Sequence, residues 1–336
     1  MKKFLALIMV LAMTLAFTAC GGGGGADSGE AGGGEEAAAT GGGGNLTFVT
    51  GGEAGTYYAF GTVLAQHVSD KTDTSVTAVV GNGSQANIED LNAGAAQLAF
   101  AQSDVMSYAY QGTNLFEEVG AIDSFSVAGA LYMEQVQIVT MNPDIKTVED
   151  LKGRNVSIGA SGSGVYFNAL DVLGAYGMTE EDIKAQYLNF ADSADNLKDG
   201  KIDAAFIVSG APTTAITDLS TGGQVYLVSL DDEHAKALIE KSPYYSEYTI
   251  PKDVYGTPED VKTVAVGAIV IARDDVAEGD VYNFVSSIFE NLPEVEAAHA
   301  KGAELSLEFA SSITDVPYHP GAAKYFEEKG ISVKTK

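Results

Sequence analysis

The feature that most constrains the fold is an alternation of short β-rich segments with helical segments, which begins at Asn45. "NLTFVTG" predicts a strand, and "TYYAFGTVLAQHVSDKT" predicts the amphipathic helix that follows it. "SVTAVVG", "SQANIEDLNAG" and "AQLAFAQSD" continue the pattern as strand, helix and strand. This order is typical of βαβ units, whose strands pair in parallel. The sequence therefore predicts an α/β protein with mostly parallel sheets.

Two long extended segments interrupt the alternation, "VAGALYMEQVQIVTM" and "TVAVGAIVIAR". Each is longer than a strand in a small sheet needs to be, so we interpret them as two crossover segments between lobes. We predict two mixed, mostly parallel sheets with a cleft between them. Lobe 1 would comprise residues 45–134 and 270–336, and lobe 2 residues 135–269. The stretch before Tyr255 shows no regular pattern apart from a helix start at Asp231–His234.

Five loops rich in glycine and hydroxyl side chains follow predicted strands and come directly before predicted helices. Ligands in open α/β sheets lie beyond the carboxyl ends of the strands. Helix N-termini there offer free N–H donors to a carboxylate or phosphate, and glycine lets the backbone approach closely. Each loop by itself could be only a tight turn with a helix cap, but five in two lobes favour a shared cleft. The loops are Thr50–Tyr58, Gly81–Asn87, Gln102–Asp104, Gly159–Gly164 and Ser209–Thr214.

The charges near these loops bear on the ligand. None of the five contains Lys or Arg, and the arginines of the chain are Arg154 and Arg273. A carboxylate would therefore be held by backbone amides and hydroxyls instead of a guanidinium. Acidic residues near the loops could meet a ligand amine, although solvated or capping carboxylates are the commoner case; these are Glu53, Asp104 and Glu134.

The N-terminus has the layout of a bacterial export signal. Met1–Lys3 are followed by an apolar run to Phe17, and small residues precede Cys20, the only cysteine. That run is too short for a stable membrane span. We predict a lipoprotein signal peptide over residues 1–19 and lipidation of Cys20, the alternative being an ordinary secretory signal with an incidental cysteine. Residues 20–44 hold no large apolar side chain, which predicts a flexible tether.

Charge and composition exclude several classes of function. The net charge of −27 argues against binding nucleic acid, which requires Lys and Arg along one face. The histidines are scattered without metal-ligand spacing, and "GSGSG" lacks the flanks of a phosphate loop or a serine nucleophile. We therefore expect no catalytic residues, no metal and no cofactor. The histidines are His67, His234, His299 and His319.

Several motifs, in this order along the chain, resemble one known family: "TGGEAGTYYAFGTVLAQ", "GSQANIEDLNAGAAQLAFAQSD", "LYMEQVQIVT", "VEDLKGRNVSIGASGSG", "LKDGKIDAAFIVSGAPTTAI" and "VPYHPGAAKYFEEKG". Residues 45–331 resemble the TAXI solute-binding proteins of tripartite ATP-independent periplasmic (TRAP) transporters. The resemblance implies the two-lobed type II periplasmic-binding-protein fold. It also implies delivery of a small carboxylate or amino acid, such as glutamate, glutamine or 2-oxoglutarate, to an integral membrane subunit.

The resemblance further implies that the five loops line the ligand cleft. We expect a monomer, lipid-anchored at Cys20 on the outer face of the cytoplasmic membrane. The candidate ligand-binding residues are Gly51, Gly52, Gly55, Thr56, Tyr57, Gly83, Ser84, Asn87, Gln102, Ser103, Asp104, Ser161, Gly162, Ser163, Gly164, Gly210 and Pro212.

Two alternatives remain open. The first is a binding protein of the same fold that serves an ATP-driven (ABC) importer or a sensor kinase. The second is an enzyme on this fold, against which the export signal and the lack of a nucleophile set both argue.

Overall fold

The structure, a computed structural model, describes residues 41–336. The predicted signal peptide, Cys20 and most of the predicted tether lie outside these residues. Within the described range no helix has both the length and the apolar character needed to cross a bilayer. The strands of this range are β1 (Asn45–Val49), β2 (Ser75–Val79), β3 (Leu98–Gln102), β4 (Phe125–Thr140), β5 (Asn155–Ser157), β6 (Lys184–Gln186), β7 (Ala204–Ser209), β8 (Tyr226–Leu227), β9 (Ser246–Ile250) and β10 (Val261–Arg273).

The helices cover both faces of the sheet and follow most of the strands. Short 3-10 helices lie at Asn114–Phe116, Val148–Leu151, Glu180–Asp182, Lys252–Val254 and Ala300–Glu304. The α-helices of the described range are α1 (Thr56–Lys71), α2 (Ser84–Asn92), α3 (Ser103–Gln111), α4 (Gly164–Ala175), α5 (Phe190–Lys198), α6 (Thr214–Gly222), α7 (Asp232–Lys241), α8 (Glu278–Glu290), α9 (Leu292–Ala298), α10 (Leu307–Ala310) and α11 (Pro320–Glu328).

The strands form one mixed sheet in the order β2-β1-β3-β10-β4-β7-β5-β6, with β8 beside β4 and β9 beside β10. β1 pairs in parallel with β2 and β3, and β5 pairs in parallel with β6 and β7. The predicted α/β class and the mixed character of the sheet are confirmed. The prediction of mostly parallel pairing is wrong, because β4 and β10 pair antiparallel with each other and with all their other neighbours. The two predicted sheets are the two ends of this one sheet, because the long strands β4 and β10 pair with each other in its centre.

The two long strands change partners near their midpoints. β10 pairs with β9 over Val261–Ala265 and with β3 over Ala268–Ala272. β4 pairs with β7 from Gln135 onward. We call residues 45–134 and 270–336 the first half, and residues 135–269 the second half. One apolar core cluster gathers side chains mainly from the first half, and two smaller clusters lie entirely in the second.

Three details differ from the sequence prediction. The stretch before Tyr255 contains a regular helix, α7, which Asp231 caps by accepting hydrogen bonds from backbone N–H groups, and the strand β9. The predicted strand "AQYLNF" ends at Gln186, because Asn189 caps α5 by accepting from the Asp192 N–H. The end of the predicted tether is held in place, since the Gly43 and Gly44 N–H groups donate to Asp280 Oδ1 at 2.8 and 2.9 Å.

Candidate functional site

A cavity of about 570 Å³ lies where the carboxyl ends of strands from both halves meet. β1, β2 and β3 supply one wall, and β5, β6 and β7 supply the other. This placement follows from parallel pairing, which brings the loops after neighbouring strands to one edge of the sheet. The lining residues are Gly51, Gly52, Glu53, Ala54, Gly55, Thr56, Tyr57, Val80, Gly81, Asn82, Gly83, Ser84, Gln102, Glu134, Ala160, Ser163, Gly164, Val165, Asn189, Phe190, Ala191, Val208, Ser209, Thr214 and Asp218.

Ten of the residues predicted for the site line this cavity, and all five predicted loops contribute at least one lining residue. The ten come from the first four loops. They are Gly51, Gly52, Gly55, Thr56, Tyr57, Gly83, Ser84, Gln102, Ser163 and Gly164.

The other seven predicted residues lie outside the lining, and most of them hold the loops in place. The Asn87 Nδ2 donates to the carbonyls of Thr50 and Phe100, at 2.5 and 2.8 Å, and so ties two loops to the sheet. The Ser103 hydroxyl accepts from the Gly267 N–H at 3.0 Å. Asp104 is buried in a contact with α4 described below, and the remaining four are not lining residues: Ser161, Gly162, Gly210 and Pro212.

The structure also adds lining residues that the sequence analysis did not select. Asn189 and Phe190 lie in a segment predicted as strand, although Asn189 with Asp192 three residues later is a helix-cap signal that would have placed a loop there. The sequence indicates Glu134 as an acidic residue near the loops that could meet a ligand amine, but Glu134 is not among the candidate site residues, because it lies inside the buried pattern of β4. Only the strand pairing shows that its side chain faces the cavity.

Three helices begin at the cavity, and each is open to a ligand. The N-cap positions of α1, α2 and α4 are Gly55, Gly83 and Ser163, and none makes a side-chain cap hydrogen bond. The free N–H groups and the positive end of the helix dipole favour an anionic group. A Cβ at Gly164 would lie 1.9 Å from Gln102 Oε1, so a larger residue there would displace the Gln102 side chain.

Loops from the two halves contact each other around the cavity. The Ala86 N–H donates to the Gly162 carbonyl at 2.9 Å, and the Ala215 N–H donates to the Ala54 carbonyl at 3.2 Å. The Thr56 N–H donates to Ser209 Oγ at 3.1 Å. These bonds cross from one half to the other on two sides of the cavity. The described arrangement is therefore a closed one.

The cavity is acidic and contains polar atoms that lack partners. None of the lining residues is Lys or Arg. Three carboxyl groups line the cavity, those of Glu53, Glu134 and Asp218. Four buried atoms of the lining have no hydrogen-bond partner among the described residues: Tyr57 OH, Gln102 Oε1, Glu134 Oε2 and Ser163 Oγ. Buried polar atoms normally have partners, so this set marks where a polar ligand would bind.

Glu134 is the most deeply placed of the three carboxyl groups, with 2% of its surface exposed. Burial raises the pKa of Glu134 to about 8, and the negative charge of Asp104 adds to the increase. The lining contains no histidine or cysteine. Within the described residues no group of side chains could hold a metal ion. The arrangement is suited to binding a polar molecule.

A second buried polar contact joins the halves, and we call it the seam: Asp104, Asn168, Asp171 and Tyr245. The Asn168 Nδ2 donates to Asp104 Oδ2 and to the Tyr245 hydroxyl oxygen, both at 2.8 Å. The Tyr245 hydroxyl donates to Asp171 Oδ2 at 3.0 Å. Burial raises the pKa of Asp104 to about 7. In the seam the protein supplies partners for Asp104 Oδ2 and Asn168 Nδ2, whereas Asp104 Oδ1 and Asn168 Oδ1 have none among the described residues.

The sequence of this chain matches a known protein family, described as the NMT1-like family, over residues 48–330. MatC from Rhodopseudomonas palustris with bound malate is 13% identical, with a TM-score of 0.55 over 78% of this chain and 90% of that chain. The ligand-binding component of an ABC-type import system from Staphylococcus aureus, with zinc bound, is 11% identical. Its TM-score is 0.50 over 87% of this chain and 94% of that chain.

A third similar structure is the alkanesulfonate-binding protein SsuA from Xanthomonas axonopodis pv. citri bound to MOPS. It is 17% identical, with a TM-score of 0.47 over 85% of this chain and 90% of that chain. MatC and the Staphylococcus aureus component show the fold of this chain. It is that of the type II periplasmic binding proteins, as the sequence predicted.

Proposed function

This chain belongs to the NMT1-like family, and from that premise we propose that it is an extracytoplasmic solute-binding protein. It captures a small polar solute in the cavity and delivers it to an importer in the membrane. The observation that carries this proposal is the set of unpartnered buried atoms in a cavity where loops of both halves meet. Capture and delivery of a solute need binding groups only, so we propose that the protein is not an enzyme.

Capture follows from the contacts across the cavity. Opening would break the hydrogen bonds that join Thr56 to Ser209 and Ala86 to Gly162. A solute that touches both walls binds the closed form better than the open one, and therefore shifts the equilibrium toward closure. The importer would recognise the closed, loaded form.

A carboxylate is the group that the three open helix starts favour. The donors within the cavity are the Ser163 hydroxyl and those N–H groups at the starts of α1, α2 and α4 that are not already bonded, as the Thr56 and Ala86 N–H groups are. Arg154 and Arg273 are not lining residues, and each contacts an acidic residue elsewhere: Asp203 at 3.8 Å and Asp275 at 2.5 Å. We therefore propose that the carboxylate is held without a guanidinium, the arrangement that the composition of the loops predicts.

Two kinds of importer remain candidates. An ABC-type importer is the better supported, since the Staphylococcus aureus protein of the same fold is a component of an ABC-type import system. A TRAP transporter is the second candidate, supported by the motifs over residues 45–331 that resemble the TAXI proteins. A binding protein of this fold could also serve a sensor kinase, which would recognise the loaded form.

A ligand screen tests the binding function. The full-length chain is heated with members of a panel of amino acids, organic acids, amines and sugars. A solute that binds the folded state stabilises it by RT ln(1 + [L]/Kd), about 2.7 kcal/mol at a hundredfold excess over Kd. A rise in Tm with one chemical class supports the proposal, and no rise with any class contradicts it.

Reconstitution distinguishes the importers. With an ABC importer, uptake of the identified solute into vesicles requires ATP and survives collapse of the sodium gradient. With a TRAP permease, uptake requires the ion gradient and no ATP.

Membrane attachment is tested separately: we propose that Cys20→Ser releases the protein from the membrane fraction without unfolding it. A variant that stays wholly membrane-bound contradicts the lipid anchor.

A further inference from the structure

We propose that Glu134 recognises a protonated amine of the solute, so that the solute carries an ammonium group and at most one carboxylate. This inference rests on the proposed function and narrows its ligand class to amines and zwitterions. It excludes dicarboxylates such as 2-oxoglutarate, which the sequence analysis included among the ligands.

The position of Glu134 is the first support. Its carboxyl group lines the cavity, is almost fully buried and has an oxygen, Oε2, without a partner among the described residues. Tyr57 and Gln102 lie beside it, and their polar groups partly offset the effect of burial on its pKa. Burial still dominates, so a charged Glu134 is costly unless a cation pairs with it. An ammonium group has three donors, which can reach Glu134 and its neighbours together.

The charges of the cavity are the second support. Glu53, Glu134 and Asp218 line it without a basic residue among the lining side chains. The nearest buried cation, Lys301, forms an ion pair with Glu304 and lies over the Tyr132 ring, so its charge is largely compensated. The helix starts can compensate one carboxylate. A second carboxylate would face the charges of Glu53 and Asp218. An ammonium group is attracted by them, and by Glu134 once that group loses its proton.

Proton release provides a readout that an ordinary hydrogen bond does not. The groups that face Glu134 are Tyr57 from α1, Tyr132 from β4, Asp104 from α3 and Lys301 from the short helix Ala300–Glu304. With a pKa of about 8, Glu134 is mostly protonated at pH 7 while no cation is present. An ammonium group favours the charged carboxylate. Binding of an amine at pH 7 should therefore release up to about 0.9 proton.

The test uses probes that differ only by the amine. The wild-type chain is titrated calorimetrically with L-glutamine, L-leucine and L-lysine, with their des-amino carboxylates, with putrescine, and with succinate and 2-oxoglutarate. Titrations at pH 7 in phosphate and in Tris reveal the number of protons released. We expect binding of at least one amine, proton release, and no binding of its des-amino counterpart or of the dicarboxylates.

Two variants locate the effect. Glu134→Gln keeps the size of the side chain and should weaken amine binding on the order of 10–100-fold while abolishing proton release. Glu118→Gln is the matched control, because Glu118 is exposed and lies outside the cavity lining; its effect should stay within about threefold. The Tm of Glu134→Gln, which should equal or exceed that of the wild type, shows that the variant folds.

The outcomes separate this inference from the proposed function. If dicarboxylates, des-amino acids or sugars bind and amines do not, solute binding stands and the role of Glu134 is wrong. An amine whose affinity changes less than threefold in Glu134→Gln also overturns it. If no compound of the panel or of the wider screen binds, both the inference and the proposed function fail.

Discussion

The cavity and the seam are two buried polar regions where the halves of the molecule meet, and they differ in how their carboxyl groups are satisfied. In the seam, Asp104 accepts a hydrogen bond from Asn168, which in turn reaches Tyr245. In the cavity, Glu134 and Gln102 keep unpartnered atoms although both are only 2% exposed. The seam also keeps two unpartnered oxygens, Asp104 Oδ1 and Asn168 Oδ1, but its side chains hydrogen-bond one another across the halves.

The difference shows that some buried polar groups hold the two halves together, whereas others are left to bind a ligand. Polar atoms that the protein itself satisfies tie two elements together, as α3 and α4 are tied by the seam. Polar atoms left without partners weaken the empty protein, and a ligand that supplies those partners recovers the cost. Unpartnered atoms identify a binding region only where they also line a cavity, because Asn87, Asp104, Tyr132 and Asn168 keep unpartnered atoms outside the lining.

The largest effect we expect is a pH dependence of stability that both regions share. Burial raises the pKa of Glu134 from 4.5 to about 8 and that of Asp104 from 3.8 to about 7. The folded state therefore holds more protons than the unfolded state between about pH 4 and pH 8, so stability falls as the pH rises. Each group should contribute a loss of about 3 kcal/mol between pH 5 and pH 8.

Urea unfolding of the ligand-free protein at several pH values measures this loss. Glu134→Gln and Asp104→Asn should each flatten the curve, whereas Glu53→Gln serves as a control for the overall negative charge. A wild-type curve that rises or stays level from pH 5 to pH 8 would show that the two carboxyl groups are charged at little cost.

The second prediction compares the stability of two variants, each of which replaces a buried amide side chain, one in the seam and one in the cavity. Asn168→Leu removes the donor of the seam and leaves Asp104 without it, which should lower the free energy of unfolding by about 2–4 kcal/mol. Gln102→Met is the matched change in the cavity, where the side-chain oxygen has no partner among the described residues. It should cost less than about 1 kcal/mol. Equal losses for the two variants would contradict the distinction between seam and cavity.

The third prediction concerns the closed contact between the walls. A Cβ at Gly83 would lie 3.1 Å from the Ser163 Cα, and the φ of Gly83 is 102°. Gly83→Ala should push the loops apart and weaken solute binding roughly 10–100-fold, because both walls contact the solute only when closed.

Gly153→Ala is its control, with a φ of 73° and no atom within 4 Å of the added Cβ. It should cost about 1 kcal/mol of stability and leave affinity unchanged. Small-angle scattering adds a direct readout: the radius of gyration of the wild type should decrease with solute, and that of Gly83→Ala should decrease less. An unchanged radius of the wild type at saturation would exclude closure as the means of capture.

The smallest effects are expected from single donors to the carboxylate. Ser84→Ala and Ser163→Ala should each weaken binding by roughly 1–2 kcal/mol. Arg154→Gln and Arg273→Gln should cost well under about 1 kcal/mol, because neither arginine lines the cavity. Calorimetric titration with the identified solute measures all four. A loss of about 3 kcal/mol or more at either arginine, with near-normal serine variants, would overturn the amide-and-hydroxyl description of the site.

Most of the cavity wall was predictable from the sequence because it is local. A glycine-rich loop between a strand and a helix marks the carboxyl end of a parallel strand wherever the strand lies, so Gly55, Gly83 and Gly164 could be selected without knowing the neighbours. The prediction erred where local signals conflict. Asn189 and Phe190 follow a β-rich run, and Asn87 shares a loop with lining residues while its amide bonds the sheet.

The sequence by itself determined the α/β class, the two long crossover strands and the glycine loops, since these follow from the periodicity and composition of contiguous residues. Only the tertiary structure decided which polar side chains have partners. Asp104 and Glu134 are alike in the sequence, each a lone carboxyl beside apolar residues. Asp104 accepts a hydrogen bond from Asn168 of the second half, 64 residues away in the sequence, whereas Glu134 lines the cavity. The cost of a buried charge depends on what lies within a few ångströms of it, and strand pairing and helix packing set that distance.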